Sequence, residues 1–125
     1  MAFDVENIRR DFPLLEQSVY GKTLVYLDSG ATAQKPNCVI NRESELYRTL
    51  NANIHRGVHH LSDRMTALYE QARETVRAFV GAEHREEIVF TSGATMSLNL
   101  VATSWCNSFL NEGDNVVVSH IEHHS

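Results

Sequence analysis

Cysteine and long apolar runs are scarce in this chain, and each scarcity excludes something. Two cysteines, Cys38 and Cys106, make no disulfide framework, and their spacing fits no zinc pattern. They read as reduced thiols of a cytoplasmic protein, with Cys106 packed in an apolar helix. No apolar stretch nears the roughly 20 residues that cross a bilayer. The opening MAFDVENIRRDF lacks a charged segment followed by an apolar one, so no secretory signal is visible. Basic residues are scattered, with Arg9-Arg10 the only adjacent pair, and the net charge is −5. A non-specific nucleic-acid binder needs the opposite, a clustered cationic surface.

What is present is ordinary globular chemistry: 125 residues, 42% hydrophobic and 22% charged, enough for one domain with a core. Asp4 caps a short helix over residues 5–11 that Pro13 stops. A turn at Gly21-Lys22 leads to a short strand over residues 24–27, and a helix begins near Pro36, with its periodic part over residues 39–50. NANIHRGVHHLS (51–62) reads as loop. Ser62 and Asp63 then open a long helix to Val80, with Met65, Leu68, Tyr69, Ala72, Val76, Phe79 and Val80 as its stripe and Gly81 past its end. Ile88-Val89-Phe90 reads as a strand. A helix follows from Ala94, with Leu98, Val101, Ala102, Trp105 and Phe109 inward, and then a strand at Val116 to Val118. Strands alternating with helices predict a parallel sheet covered on both faces. Two strands alone leave unpaired edges and uncovered apolar faces.

Three stretches have the composition of a site. TSGAT (91–95) lies between a strand and a helix. Unpaired N–H groups at a helix start, a glycine and hydroxyls can hold a phosphate or carboxylate. The same residues serve equally as a helix cap, through Ser92 or Thr95. The histidines form a second set: His55 and His59 are four apart, as are His120 and His124, and His123 adjoins His124. Nothing completes a metal-ligand set around them. His123 instead follows the carboxyl end of a predicted parallel strand, the edge at which open α/β sheets bind ligands. His59, His60, His84 and His120 read as solvated or hydrogen-bonded side chains. The third stretch, YLDSGATAQKP (26–36), gives a loop of small residues after a strand.

Taken in order, DFPLL, YLDSGATAQKP, HRGVHHLS, EEIVFTSGATMSLNLVA, GDNVVVS and EHH resemble the class V aminotransferase family of pyridoxal 5'-phosphate (PLP) enzymes. Within that family the chain is most similar to cysteine desulfurases of the SufS group. The resemblance implies an α/β fold, the aspartate aminotransferase-like fold type I, with residues 1–60 as an N-terminal segment and residues 61–125 as the start of the large PLP-binding domain. It implies that Ala94 and Thr95 hold the cofactor phosphate and that His123 stacks on its ring and moves a proton. Ala31 lines the substrate pocket, and His55 and Arg56 lie near substrate across a homodimer interface. The implied reaction converts L-cysteine to L-alanine and passes sulfur, as an enzyme persulfide, to an acceptor protein of the SufE or SufU kind for iron–sulfur cluster assembly. No metal, nucleic acid or membrane is implied.

The family's cofactor-holding lysine matches neither Lys22 nor Lys35, and its sulfur-accepting cysteine matches neither Cys38 nor Cys106. The expectation is therefore the front part of a longer enzyme, inactive by itself. Three positions depart from the pattern: Met96 replaces a common acidic residue, Ser92 a frequent arginine and His60 a threonine. Selenocysteine lyase, another β-eliminating lyase or an aminotransferase of the same fold, and more distantly a histidine-rich metal-binding module, stand as alternatives.

Overall fold

The computed structural model describes residues 3–124, so the outermost ends of both expected domains, residues 1–2 and 125, lie outside the described residues. The chain divides into two compact units, one up to Gln71 and one from Ala72 onward.

In the first unit, helix α1 (Val5–Arg9) starts where expected, because the Asp4 carboxylate accepts from the Asn7 N–H at 3.0 Å. The helix ends at Arg9, short of the expected residue 11, and Pro13 opens a 3-10 turn, Pro13–Glu16. The Arg9 guanidinium then donates to the carbonyls of Leu15 and Leu24, each at 2.6 Å, and clips the chain back on itself. The expected strand over residues 24–27 is not formed. The pairing lies just before it, in an antiparallel hairpin of β1 (Ser18–Val19) and β2 (Lys22–Thr23). Its loop is Tyr20-Gly21, with φ of 52° and 74°. A two-residue hairpin turn with both φ values positive matches the twist of its strands, and Gly21 fills the second place without steric cost.

Helix α2 (Asn37–Thr49) begins after Pro36, and its first N–H reaches back to the Asp11 carbonyl at 2.7 Å. Leu50 behind it is buried at 7% exposure. Helix α3 (His60–Val80) starts two residues before the predicted Ser62, a shift within the usual uncertainty of helix ends. Ser62 is the most buried residue described, at 1% exposure. Its hydroxyl donates to the Asn53 carbonyl at 2.6 Å and accepts from the Gly57 N–H at 3.1 Å. The loop before α3 is thereby wrapped onto the first turn of the helix.

In the second unit, α3 ends as the sequence predicts. Gly81 takes φ of 74°, and the Ala82 N–H returns to the Arg77 carbonyl at 3.1 Å, a glycine-terminated helix end. Arg77 also pairs with Glu74, at 2.9 and 3.0 Å from Nε to the two carboxylate oxygens. That hydrogen bond, helped by charge, holds the Glu74 carboxyl below its ordinary range. The stabilisation is present above the unfolded carboxylate pKa and is lost only as pH falls through the lower folded value, so it is constant around neutrality.

Arg73 ties the next segment down, donating to the carbonyls of Ile88 at 3.2 Å and Arg85 at 3.0 Å. Helix α4 (Ala94–Leu100) follows and passes without a break into a wider π-helical stretch, Val101–Cys106, and a last turn, α5 (Asn107–Phe109). Hydroxyls explain the widening. Thr103 and Ser108 donate to the carbonyls four residues back, each at 2.7 Å, and Ser104 does the same to Leu100. Each competes with the backbone N–H for its acceptor.

Two expectations are corrected here. Ile88-Val89-Phe90 and Val116 to Val118 carry no ladder: among the described residues the hairpin is the only sheet. A parallel strand is defined by its neighbours, and these segments have none beside them. For the same reason the stripe expected to point inward is largely uncovered, with Leu98, Val101, Trp105 and Phe109 all more than half exposed. Cys106 is half-buried rather than buried. Trp105 and Phe109 cover part of each other, with ring centroids 5.3 Å apart. No helix among the described residues is long and apolar enough to cross a membrane.

The Ser62 clasp yields a test with an internal control. A Cβ on Gly57 would stand 2.4 Å from the Ser62 Cβ, whereas a Cβ on Gly30 would meet nothing within 4 Å. Gly57→Ala is expected to destabilise by about 1–3 kcal/mol through overpacking, and Gly30→Ala to stay within about 0.5 kcal/mol, both read from denaturant unfolding.

Candidate functional site

The residues singled out by sequence fall into both units. In the first, Ala31 sits in a tight turn, where its N–H and that of Thr32 both return to the Asp28 carbonyl, at 3.2 and 3.0 Å. The Tyr26 hydroxyl braces this turn from inside, at 2.6 Å from the Thr32 carbonyl and 3.2 Å from that of Asp28.

His55 and Arg56 stand in the loop held by Ser62. His55 has φ of 61°, a left-handed conformation that histidine adopts more readily than most side chains. Its N–H donates to the Thr66 hydroxyl at 3.0 Å, its Nε2 lies 3.3 Å from Glu70 Oε1, and its ring meets Tyr69 edge-on at 5.7 Å. Arg56 is exposed. His59, four residues on, serves the helix start: its Nδ1 accepts from the Ser62 N–H at 3.4 Å. A cleft of about 310 Å³, with Arg42, His60 and Arg64 at its rim, holds none of the predicted site residues.

In the second unit, Ala94 and Thr95 are the first two residues of α4. The residue before them, Gly93, has φ of 152° and ψ of 176°, and no side chain caps the helix. Capping by Ser92 or Thr95, one of the two readings of this turn, is thus not what the structure displays. Ser92 turns instead to the Met96 sulfur at 3.3 Å, while Thr91 and Ser97 join their hydroxyls at 2.6 Å across the turn. The helix start, uncapped by any side chain, stands beside the hydroxyls of Thr91 and Ser97, and a helix start with hydroxyls is a composition suited to a phosphate.

His123 follows the Val116 to Val118 segment and a turn at His120-Ile121. The Ser119 hydroxyl shapes that turn, donating to Glu122 at 2.7 Å and accepting from the Ile121 N–H at 3.3 Å. The rings of His123 and His124 lie 6.3 Å apart. Among the described residues no three His, Cys, Asp or Glu side chains are placed to hold a metal ion.

Sequence reading missed Thr66, Tyr69 and Glu70, which hold His55. The available signal was the polar spacing of Ser62, Thr66 and Glu70, four residues apart on one helix face. Among the charged and apolar side chains of α3, it reads as an unremarkable solvated edge.

The Aminotransferase class-V family profile matches residues 25–125. The chain belongs to that family. Among its class V relatives, a protein of Staphylococcus aureus named probable cysteine desulfurase is 51% identical over 99% of this chain. Probable cysteine desulfurase 1 of Mycobacterium leprae is 49% identical over 99% of the chain, and the cysteine desulfurase of Synechococcus elongatus is 49% identical over all of it. The chain spans only 30%, 20% and 20% of the lengths of these three relatives. In three dimensions it is similar to the apo structure of a cysteine desulfurase from Thermococcus onnurineus NA1. The TM-score is 0.74 and the identity 39%, covering 87% of this chain and 26% of that one. The architecture is accordingly that of an N-terminal piece of the fold type I α/β enzymes.

The backbone at Gly93 is open to test. Its φ and ψ lie in a region essentially reserved for glycine. Gly93→Ala is expected to cost about 1–3 kcal/mol although open space surrounds the position, and unfolding measurements with Gly30→Ala as the unstrained control will read the difference.

Proposed function

We propose that this chain is the N-terminal part of a PLP-dependent cysteine desulfurase, with residues 1–60 preceding the large cofactor-binding domain that starts at residue 61. The observation that carries the reading is the start of α4. A glycine in a conformation closed to other residues opens a helix with no side-chain cap, in a chain about half identical to proteins named cysteine desulfurase.

The residues present fit the cofactor. The Ala94 N–H and the Thr95 N–H and hydroxyl would hold its phosphate, where the helix dipole favours negative charge. PLP, when bound, supplies an electron sink for charge developing on the substrate's carbon. The remaining work falls to protein side chains. His123 offers a flat imidazole to stack on the cofactor ring, and its ring nitrogens can accept and donate a proton. Ala31, on a braced turn with a minimal side chain, lines the substrate pocket. His55 and Arg56 lie near the substrate, reached from the partner protomer of a homodimer.

L-cysteine is the proposed substrate and L-alanine the product. The sulfur leaves as a persulfide on a cysteine of the enzyme other than Cys38 or Cys106, and passes to an acceptor protein of the SufE or SufU kind in the cytoplasm. A second reading within the same fold, a different β-eliminating lyase or an aminotransferase, draws support from the Ser92–Met96 contact. It places a neutral pair where the family commonly has charged side chains.

The full reading frame that carries this chain, purified with PLP and given L-cysteine and a reductant, is expected to release alanine and sulfide. Pyruvate in place of alanine would select the β-eliminating lyase, and neither product would overturn the assignment. Thr95→Ala in the same protein is expected to weaken PLP binding roughly tenfold or more, the effect of removing a hydrogen bond to a charged group, as measured by equilibrium dialysis of the cofactor.

A further inference from the structure

His55 is held more firmly than a loop side chain needs to be. Its backbone sits in a left-handed well that costs a non-glycine residue roughly 1–2 kcal/mol, and such strain persists only where the surroundings over-determine it. Three neighbours on one face of α3 do so. Thr66 takes the His55 N–H at 3.0 Å, Tyr69 meets the ring edge-on at 87°, and Glu70 lies 3.3 Å from Nε2. The Glu70 side chain is only 20% exposed while that of His55 is 47% exposed, so the carboxylate forms the floor and the imidazole stands above it.

A carboxylate has no proton to give, and one 3.3 Å from Nε2 favours the tautomer with the proton on that nitrogen. In the neutral ring that choice leaves the lone pair on Nδ1. Among the described residues Nδ1 has no partner.

We infer that Glu70 is a positioning residue for His55. It fixes the Nε2–H tautomer and the ring orientation, so that Nδ1 is presented as a hydrogen-bond acceptor toward a donor group of the amino-acid substrate. The inference rests on the reading of His55 as a substrate-side residue. His55 then addresses the substrate's proton-bearing end, and Thr66, Tyr69 and Glu70 together set its direction.

The test uses the full-length enzyme as wild type, Glu70→Leu, Glu70→Gln, Thr66→Val, His55→Ala and the double variant H55A/E70L. Leucine keeps the volume of Glu70 without an acceptor, and glutamine keeps an acceptor oxygen. E70L is expected to lower kcat/KM for L-cysteine about tenfold, the effect of one charge-assisted hydrogen bond, carried mainly by KM. T66V is expected to lower it in the same direction, and E70Q to stay within about threefold of wild type. On the H55A background E70L is expected to add nothing, because the two side chains act as one unit. A crystal structure of the E70L enzyme is expected to show the His55 ring turned from its wild-type orientation. Wild-type kinetics in E70L, an undiminished further loss on the H55A background, or an unmoved His55 ring would each overturn the inference. Should E70L fail to fold, T66V kinetics with and without H55A decide the same question. If the wild-type enzyme makes no alanine from L-cysteine, the functional reading falls, and the ring orientation in E70L still decides whether Glu70 positions His55.

Discussion

One buried hydroxyl fixes more of this chain than any apolar contact does. Ser62, at 1% exposure, donates to the Asn53 carbonyl and accepts from the Gly57 N–H. A hydroxyl is the smallest side chain able to do both. Alanine would remove both hydrogen bonds, each part-buried, at a cost of about 0.5–1.5 kcal/mol apiece. The arrangement also dictates its neighbour, because a Cβ on Gly57 would collide with Ser62. Once the loop is closed over Ser62, His55 is brought onto α3, where Thr66, Tyr69 and Glu70 orient it. The loop that the functional reading needs is thus shaped by a serine and a glycine outside the predicted site.

The two proposed recognition devices use different physics. The loop of the first unit presents side-chain groups whose geometry is set by hydrogen bonds to α3. The helix start of the second unit presents backbone N–H groups, whose direction is fixed by the helix itself and whose positive partial charge needs no titratable residue. The departures from the family pattern at Ser92 and Met96 therefore change the charge beside the turn while leaving its main donors in place. The hydroxyl pairing of Thr91 with Ser97 braces the turn in the same manner, by neutral contacts.

Local signals in the sequence were legible where the chain itself supplies the partner. Asp4 capping α1, Pro36 preceding α2 and Gly81 ending α3 each depend on atoms within a few residues, and each stands where composition and spacing put it. Two kinds of feature were not legible. Ser62 read as a helix opener because its true partners, Asn53 and Gly57, lie in a loop whose path no periodicity describes. Thr66, Tyr69 and Glu70 were hidden for a related reason: polar residues four apart on a helix are common, and only the three-dimensional position of His55 gives this set a purpose. The capping reading of TSGAT was plausible from composition. It gave way because Ser92 found the Met96 sulfur and Thr91 found Ser97, local contacts that leave the helix start uncapped.

The segments at residues 88–90 and 116–118 show the limit of local reasoning from the other side. Their apolar, β-branched character is what a central parallel strand requires, yet neither forms a ladder here, because strand pairing is a property of two segments and not of one. Tertiary hydrogen bonding takes over at the first of them. Arg73 binds the Ile88 and Arg85 carbonyls from α3, and so holds the approach to Thr91 and the turn at Gly93 without help from a sheet. Among the described residues the second has no such clamp, and Val116, Val117 and Val118 are all well exposed. The contrast orders the two halves of the proposed cofactor site. The phosphate end, at Ala94 and Thr95, is organised by a helix start and an arginine that this chain carries. The ring end, at His123, follows a segment that carries no ladder among the described residues.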